Sequence, residues 1–517
     1  MVLVGLFSAI ALSVSTMLVQ CSRPTTTTTS APTVRQLFLG VDGVGWETFQ
    51  YAQQHGLFKR FTHAGRMIAP YPAMSHGSWT DIMGARRVFG DRGRLPTVEA
   101  KWFDLEQMRV ADDPRLVFAR SASPYNYMRA FDTYFDPLLE PLLYFPGHRL
   151  FDRELDETER AILDGFTGDR YTVYISGTDA MAHTHLNELH AYLVQLDAMI
   201  EHVVTALESR SGPVDVWLVS DHGNAGAFRE GDPESYLGIV NIDRAIARAG
   251  LVRQDTGTVT DSSHVAVVTL ALASMIDLYF PDLSKRRRLV DEVLHEGGVS
   301  LATWLEVTDS ARAIIVRSAT NGEAKVLWRD APGGASRDAS FEYAYVATSG
   351  NPFMLPESLI SSPTAMRWIA DSTMRNATID GPFPDALHKL VASAAKSVEN
   401  APDLIINLDD AYAHEGELSR IVRMVRTHGS LSSRSSLGVI ASTRSIVPHD
   451  VRAEEVADVM HVAPRALFKN AEWLHPRDVR AAAESLARAS PLSTCAHRPS
   501  HRARRSQACP WAPACLP

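Results

Sequence analysis

The feature that most limits how this chain folds is a set of three short, almost unbroken apolar runs. They are Val34–Val41 (VRQLFLGV), Tyr171–Ile175 (YTVYI) and Val214–Val219 (VDVWLV), and each is followed closely by an aspartate: Asp42, Asp179 and Asp221. Runs that are apolar at successive rather than alternate positions suit strands covered on both faces. Between them lie stretches such as Leu186–Leu207, whose apolar positions recur at three- and four-residue spacing, the pattern of a helix with one buried face. Strands alternating with helices predict an α/β fold, a mostly parallel central sheet with helices on both faces. Ligands in such sheets gather at the carboxyl ends of the strands. A fourth run, Asp403–Leu408 (DLIINL), has the same form and comes much later.

Two stretches break this rhythm. Residues from about 90 to 165 are rich in aromatics and proline with no clear strand period, and residues from about 230 to 400 mix helical patterns with a hairpin-like pair near Ala313–Trp328 and Phe341–Ala347. Both read as inserted lid or cap segments within one catalytic domain spanning residues 34–485. Ahead of that domain, residues 1–21 form an apolar leader ending at Cys21, and 22–33 a Thr-rich tether. Leu18-Val19-Gln20-Cys21 resembles a lipobox, which implies an exported periplasmic or cell-envelope protein attached to a membrane through a lipidated Cys21. An uncleaved anchor is the alternative, because the run is close to the ~20 residues that span a bilayer. Residues 486–517 hold no acidic residue and abundant Pro, Arg and Cys, and read as a disordered basic tail.

The formal net charge of −9 argues against a surface that tracks nucleic acid by counterion release. The four cysteines, Cys21, Cys495, Cys509 and Cys515, all lie outside the catalytic body, so a metal bound there must take its ligands from Asp and His.

Four signals stand where strands end. Asp42 closes the first run beside Gly43 and Gly45, where glycine lets a ligand approach the backbone; a turn cap is the plain reading of such an Asp. Asp179 and His183 form D-x-x-x-H, which on a helical turn projects both side chains from one face toward one ion, with His185 a competing ligand. Ser220-Asp221-His222-Gly223 follows the third run, and at a strand-to-loop bend the adjacent Asp and His can face one ion. Thr427-His428-Gly429-Ser430 lies far downstream, before LGVIAS, which reads as a strand, with His264 as its rival. Each motif alone is common by chance; their order is what carries weight.

That order, Asp42, a hydroxyl, Asp179-x-x-x-His183, Asp221-His222-Gly223 and His428-Gly429, resembles the alkaline phosphatase superfamily, most closely its type I phosphodiesterase and nucleotide pyrophosphatase branch. The segment Met67–Gly84 (MIAPYPAMSHGSWTDIMG) looks like the one that carries the family's nucleophile, which makes Ser75 the nucleophile and leaves Ser78 and Thr80 as rivals. The Cys/Ser-x-Pro-x-Arg signature of sulfatases is absent at Ser75–Trp79. The resemblance implies a metal-dependent phosphoric ester hydrolase, a phosphodiesterase or phosphatase working through a phospho-serine intermediate on a small-molecule phosphate ester. It implies two divalent ions, one held by Asp42, Asp221, His222 and Ser75 and the other by Asp179, His183 and His428. Zinc suits such mixed imidazole and carboxylate ligands, with manganese the alternative. A phosphotransferase of the same superfamily and a non-catalytic surface lipoprotein retaining the fold are the competing readings.

Overall fold

The structure, a computed structural model, describes residues 34–83, 101–104, 109–112, 128, 131–136, 139–144, 149–225, 235–254, 257–258, 261–268, 273–308, 312–331, 341–362, 364–393, 402–415 and 423–462. The leader, the tether, the basic tail and all four cysteines lie outside the described residues.

All three diagnostic runs become neighbours in one sheet. β1 (Arg35–Val41) sits between β4 (Arg170–Ile175) and β5 (Val214–Val219), parallel to both, with Leu39 opposite Val173 on one side and Leu218 on the other. β2 (His63–Ile68), β3 (Thr133–Tyr134), β6 (Leu437–Ser442) and β7 (Asp450–Arg452) complete seven strands in the order β7-β2-β6-β5-β1-β4-β3. Only β6 runs antiparallel to its neighbours, so the sheet is mostly parallel, as the runs predict.

The burial of β1 explains its unbroken apolarity. Leu37, Leu39 and Val41 face a core built with α1 (Trp46–Gln54), α3 (Arg149–Gly165) and α5 (Leu186–Ser211), while Phe38 points the other way. On that opposite face it meets Trp79 of α2 (Ser75–Ile82) and Val456 of the short helix Val456–Val459. Helices therefore cover both faces. Trp79 is fully buried and packs edge-on against Phe131 at 5.3 Å and Tyr174 at 5.7 Å, which pins the helix that begins at Ser75 to the strand that ends at Ile175.

The stretch read as an inserted lid between about 230 and 400 forms most of a second, ten-stranded sheet with cores of its own. Its antiparallel meander Val299–Val307, Arg312–Ser318, Gly322–Asp330 and Phe341–Ala347 contains the hairpin-like pair seen in sequence. DLIINL belongs here and not in the central sheet: Leu404–Leu408 pairs antiparallel with Val299–Val307 and Met275–Tyr279. A strand buried on both faces is continuously apolar in either sheet, so the run itself does not say which partners it takes. The stretch from 90 to 165 ends in an ordinary long helix, α3, which packs on α5 and β4.

Candidate metal centre at the carboxyl edge of the central sheet

Asp42 follows β1 directly, and its N–H donates to the Ile175 carbonyl at 2.9 Å, so the parallel ladder carries the aspartate to the sheet edge. Gly43 turns the chain there with φ +64. A Cβ at Gly43 would sit 2.4 Å from Asp179 Oδ1 and 2.7 Å from Asn224 Nδ2, so this position has neither the conformation nor the room for a side chain. Gly43→Ala is expected to weaken divalent-metal binding by tenfold or more, on the order of the loss seen when the surroundings of a metal ligand are disturbed. A metal titration equal to wild type would show that Asp179 tolerates the displacement.

Asp179 and His183 lie on α4 (Gly177–Thr184), where four-residue spacing brings His183 Nε2 to 3.2 Å from Asp179 Oδ2. Asp221 and His222 occupy the bend after β5, with His222 Nε2 3.3 Å from Asp221 Oδ2 and 3.3 Å from Asp42 Oδ1. His428 arrives from beyond the second sheet. Its ring stacks on His222 at 3.8 Å between centroids, and Nε2 lies 3.9 Å from Asp179 Oδ1. Its carbonyl accepts from the Ser274 N–H and hydroxyl, so the second sheet helps hold the site. Ser75 opens α2, its Oγ donating to Asp42 Oδ1 at 3.3 Å and lying 3.2 Å from His222 Nε2. All seven sequence-predicted residues thus converge, although they are spread from position 42 to 428.

The rivals do not join them. His185 bonds Thr184 Oγ1, His264 sits beside Asp261 on a strand of the second sheet, and Ser78 is fully buried with no bond to any of the seven. The Thr80 side chain lies outside the description.

Among the described residues two tight clusters emerge, Asp42–Asp221–His222 and Asp179–His222–His428, all buried, with His222 common to both. The imidazole protons show what these clusters suit. His183 Nδ1 donates to the Arg426 carbonyl at 2.7 Å, His428 Nδ1 to the Ala73 carbonyl at 2.8 Å, and His222 Nδ1 to the Gly223 carbonyl at 3.0 Å. A carbonyl only accepts, so in each neutral ring Nε2 is the bare lone pair, and it faces carboxylate oxygens. Lone pairs facing carboxylates inside a protein call for a cation between them. Among the described residues no lysine or arginine bonds or ion-pairs with Asp42, Asp179 or Asp221. Their partners are these histidines, the Ser75, Tyr174 and Tyr144 hydroxyls, the Asn224 amide and backbone N–H groups. Among the described residues, Asp221 Oδ2 is buried without a hydrogen-bond partner. Burial, then the charges of Asp221 and Asp179, raise the Asp42 carboxyl well above the usual range. Burial and the neighbouring His222 push His428 well below the ordinary imidazole value. The residues fit divalent cations bound by nitrogen and oxygen.

Three supporting residues were not legible in advance. Tyr174 donates a short hydrogen bond to Asp42 Oδ2, Tyr144 donates to Asp179 Oδ2 at 3.0 Å, and Asn224 Nδ2 donates to Asp179 Oδ1 at 3.0 Å and to the Gly43 carbonyl at 2.9 Å. Asn224 had a signal, since it directly follows Asp221-His222-Gly223. The tyrosines had none. Asn224 also lines a neighbouring cavity of about 690 Å³ that presents Trp46, Tyr51, His190, Arg426 and Arg434.

Residues 93–294 match the family described as type I phosphodiesterase / nucleotide pyrophosphatase. The matched segment contains Asp179, His183, Asp221 and His222, whereas Asp42, Ser75 and His428 are brought to them by the fold alone. No curated protein sequence matches the chain. Among solved structures, the chain is similar to human ectonucleotide pyrophosphatase / phosphodiesterase 5, with 8% identity, 83% of this chain and 95% of that one covered, and a TM-score of 0.41. The murine protein in complex with AMP gives 8%, 83%, 96% and 0.41. Phosphonoacetate hydrolase from Sinorhizobium meliloti 1021 in complex with phosphonoacetate gives 11%, 84%, 96% and 0.43.

Proposed function

The resemblance to the type I phosphodiesterase / nucleotide pyrophosphatase branch of the alkaline phosphatase superfamily holds over residues 93–294 of this chain, and on that premise we propose a phosphoric ester hydrolase in which Ser75 is the nucleophile and a phospho-serine the intermediate. The family match makes the chain a phosphate-ester-hydrolysing enzyme; the nucleophile, the intermediate and the number of ions are our reading. The observation that carries it is the position of Ser75 Oγ, 3.3 Å from Asp42 Oδ1 and 3.2 Å from His222 Nε2, at the mouth of two clusters of buried carboxylates and imidazoles.

Asp42, Asp221, His222 and Ser75 would hold one divalent ion, and Asp179, His183 and His428 the other. Bound there, such ions lower the pKa of a coordinated hydroxyl and offset charge on phosphate oxygens. The protein does the rest by placement. Ser75 stands at the start of α2, where first-turn N–H groups and the positive end of the helix dipole favour an anionic phosphate. Its hydroxyl proton is directed to Asp42 Oδ1, which leaves the oxygen lone pairs for attack on phosphorus. Attack forms the Ser75 Oγ–phosphorus bond as the ester's phosphorus–oxygen bond breaks, and the serine proton, taken up at Asp42, neutralises the departing alkoxide; water then attacks the phospho-serine, breaks its Oγ–phosphorus bond, and releases phosphate as the serine hydroxyl is restored.

Paired assays on an aryl phosphate monoester and diester test the reading. Turnover of at least one ester is expected to fall at least 100-fold on chelation and to return with Zn²⁺ or Mn²⁺, the scale on which metal-centred stabilisation acts. Hydrolysis indifferent to a chelator would overturn the metal-dependent mechanism, and no turnover of either ester in the metal-loaded protein would favour a binding module.

A further inference from the structure

Helix α4 carries Asp179 in its first turn and His183 in its last, yet Ser176 at its amino end makes no side-chain capping bond. Two N–H groups at that end are answered from a different helix. Glu154 of α3, fully buried, accepts from the Ser176 N–H at 2.8 Å, the Ser176 hydroxyl at 2.8 Å, the Gly177 N–H at 2.9 Å and the Tyr192 hydroxyl of α5 at 2.7 Å. Four donors fill the roughly four acceptor sites of a carboxylate, at the helix end where negative charge is favoured. The fit is closed sterically as well. A Cβ on Gly177 would stand 2.3 Å from Glu154 Oε2 and 2.6 Å from the Tyr192 hydroxyl, so the helix start approaches this closely only as glycine.

The junction fixed in this way sets the candidate site. Ser176 follows β4, whose last residue Ile175 accepts from the Asp42 N–H, and Thr178 donates a short hydrogen bond to the Asp42 carbonyl. A tilt of α4 about its amino end therefore moves Asp179 against Asp42, Gly43 and Asn224. We propose that Glu154 is a positioning residue that holds α4 so that Asp179 and His183 face His428. The proposal rests on the metal-dependent reading for its ligand, and on geometry alone for its effect on the helix.

Glu154→Gln keeps the size of the side chain but turns an amide NH₂ toward a shell of donors. Two readouts decide. Zinc titration of the purified protein is expected to show one site weakened ~10–100-fold, the usual scale for losing an outer support of a metal ligand, with the other site kept. Hydrogen exchange is expected to show amides 177–184 deprotected while those of β1 and β5 keep their protection. Wild-type zinc affinity together with wild-type protection of α4 overturns the proposal, and so does deprotection spread evenly over the whole sheet. Should Glu154→Gln fail to fold, Ser176→Ala removes one bond and leaves the glutamate; an unchanged α4 exchange pattern in that variant also overturns it. A wild-type protein that binds neither zinc nor manganese would refute the metal-dependent reading, while the exchange measurement still judges the positioning role.

Discussion

Ser75→Ala is expected to lower kcat/KM on an aryl phosphate ester by roughly 10⁴- to 10⁶-fold, the range observed when an enzyme loses its nucleophile, while leaving metal content intact. The asymmetry follows from the geometry. Ser75 is one half-buried hydroxyl on the rim of the cluster, and alanine suits the first turn of a helix. Asp42, Asp179, Asp221 and the three histidines keep their contacts without it. Asp221→Ala is the contrasting variant. Its side chain is fully buried, accepts from the Gly43 N–H at 3.1 Å and abuts His222, so its removal is expected to abolish both metal retention and turnover. Elemental analysis beside steady-state kinetics separates the two. Turnover surviving in Ser75→Ala would move the nucleophile elsewhere on α2, with Thr80 as the remaining hydroxyl to test.

Arg452→Met is expected to cost about 3–5 kcal/mol of stability, the scale for removing one partner from a buried ion network. Arg452 ends β7 and reaches both Asp371 (2.6 and 2.8 Å) and Asp385 (2.6 and 2.9 Å), all three buried. Asp371 opens the helix Asp371–Thr378, and Asp385 precedes the helix Ala386–Val391. These two helices pack against the second sheet, so one arginine ties that sheet to the strand beside β2. Methionine leaves Asp385 without its guanidinium partner and Asp371 with only His388 beside it. Adding Asp371→Asn and Asp385→Asn is expected to restore much of the loss, because the stranded charges disappear with the arginine. Urea unfolding measures both, and a loss below about 1 kcal/mol for the single change would mean that solvent reaches the network.

The same network has a signed pH dependence. Burial opposes it, but His388 and Arg452 hold the Asp371 carboxyl well below its usual range. Its contribution is therefore present above the unfolded carboxylate pKa and is lost as pH falls through the lower, folded value. His388 is pushed up to about 9, burial being outweighed by its bonds to Asp371 and Glu454. Its contribution is complete below the ordinary histidine value and is lost as pH rises toward about 9. Stability of the wild type is expected to decline at both ends, and more shallowly in a His388→Gln variant on the alkaline side.

What the sequence determined by itself was whatever depends on neighbours along the chain. The runs ending at Val41, Ile175 and Val219 were legible as buried parallel strands, because covering both faces demands apolar residues at every position. Asp179 and His183 were legible as a pair, because one helical turn brings residues four apart to the same face. Asp221 and His222 were legible because they follow a strand end. Tertiary structure decided the rest. DLIINL has the form of a central strand and joins the second sheet, since hydrogen-bond partners along a strand edge leave no trace in its side chains. His222 joins both clusters, His428 is oriented by Ala73, and Glu154 caps a helix it does not belong to. The last two relations join residues separated by 22 to 355 positions, and at such distances the three-dimensional path of the chain, not local periodicity, sets which side chains meet.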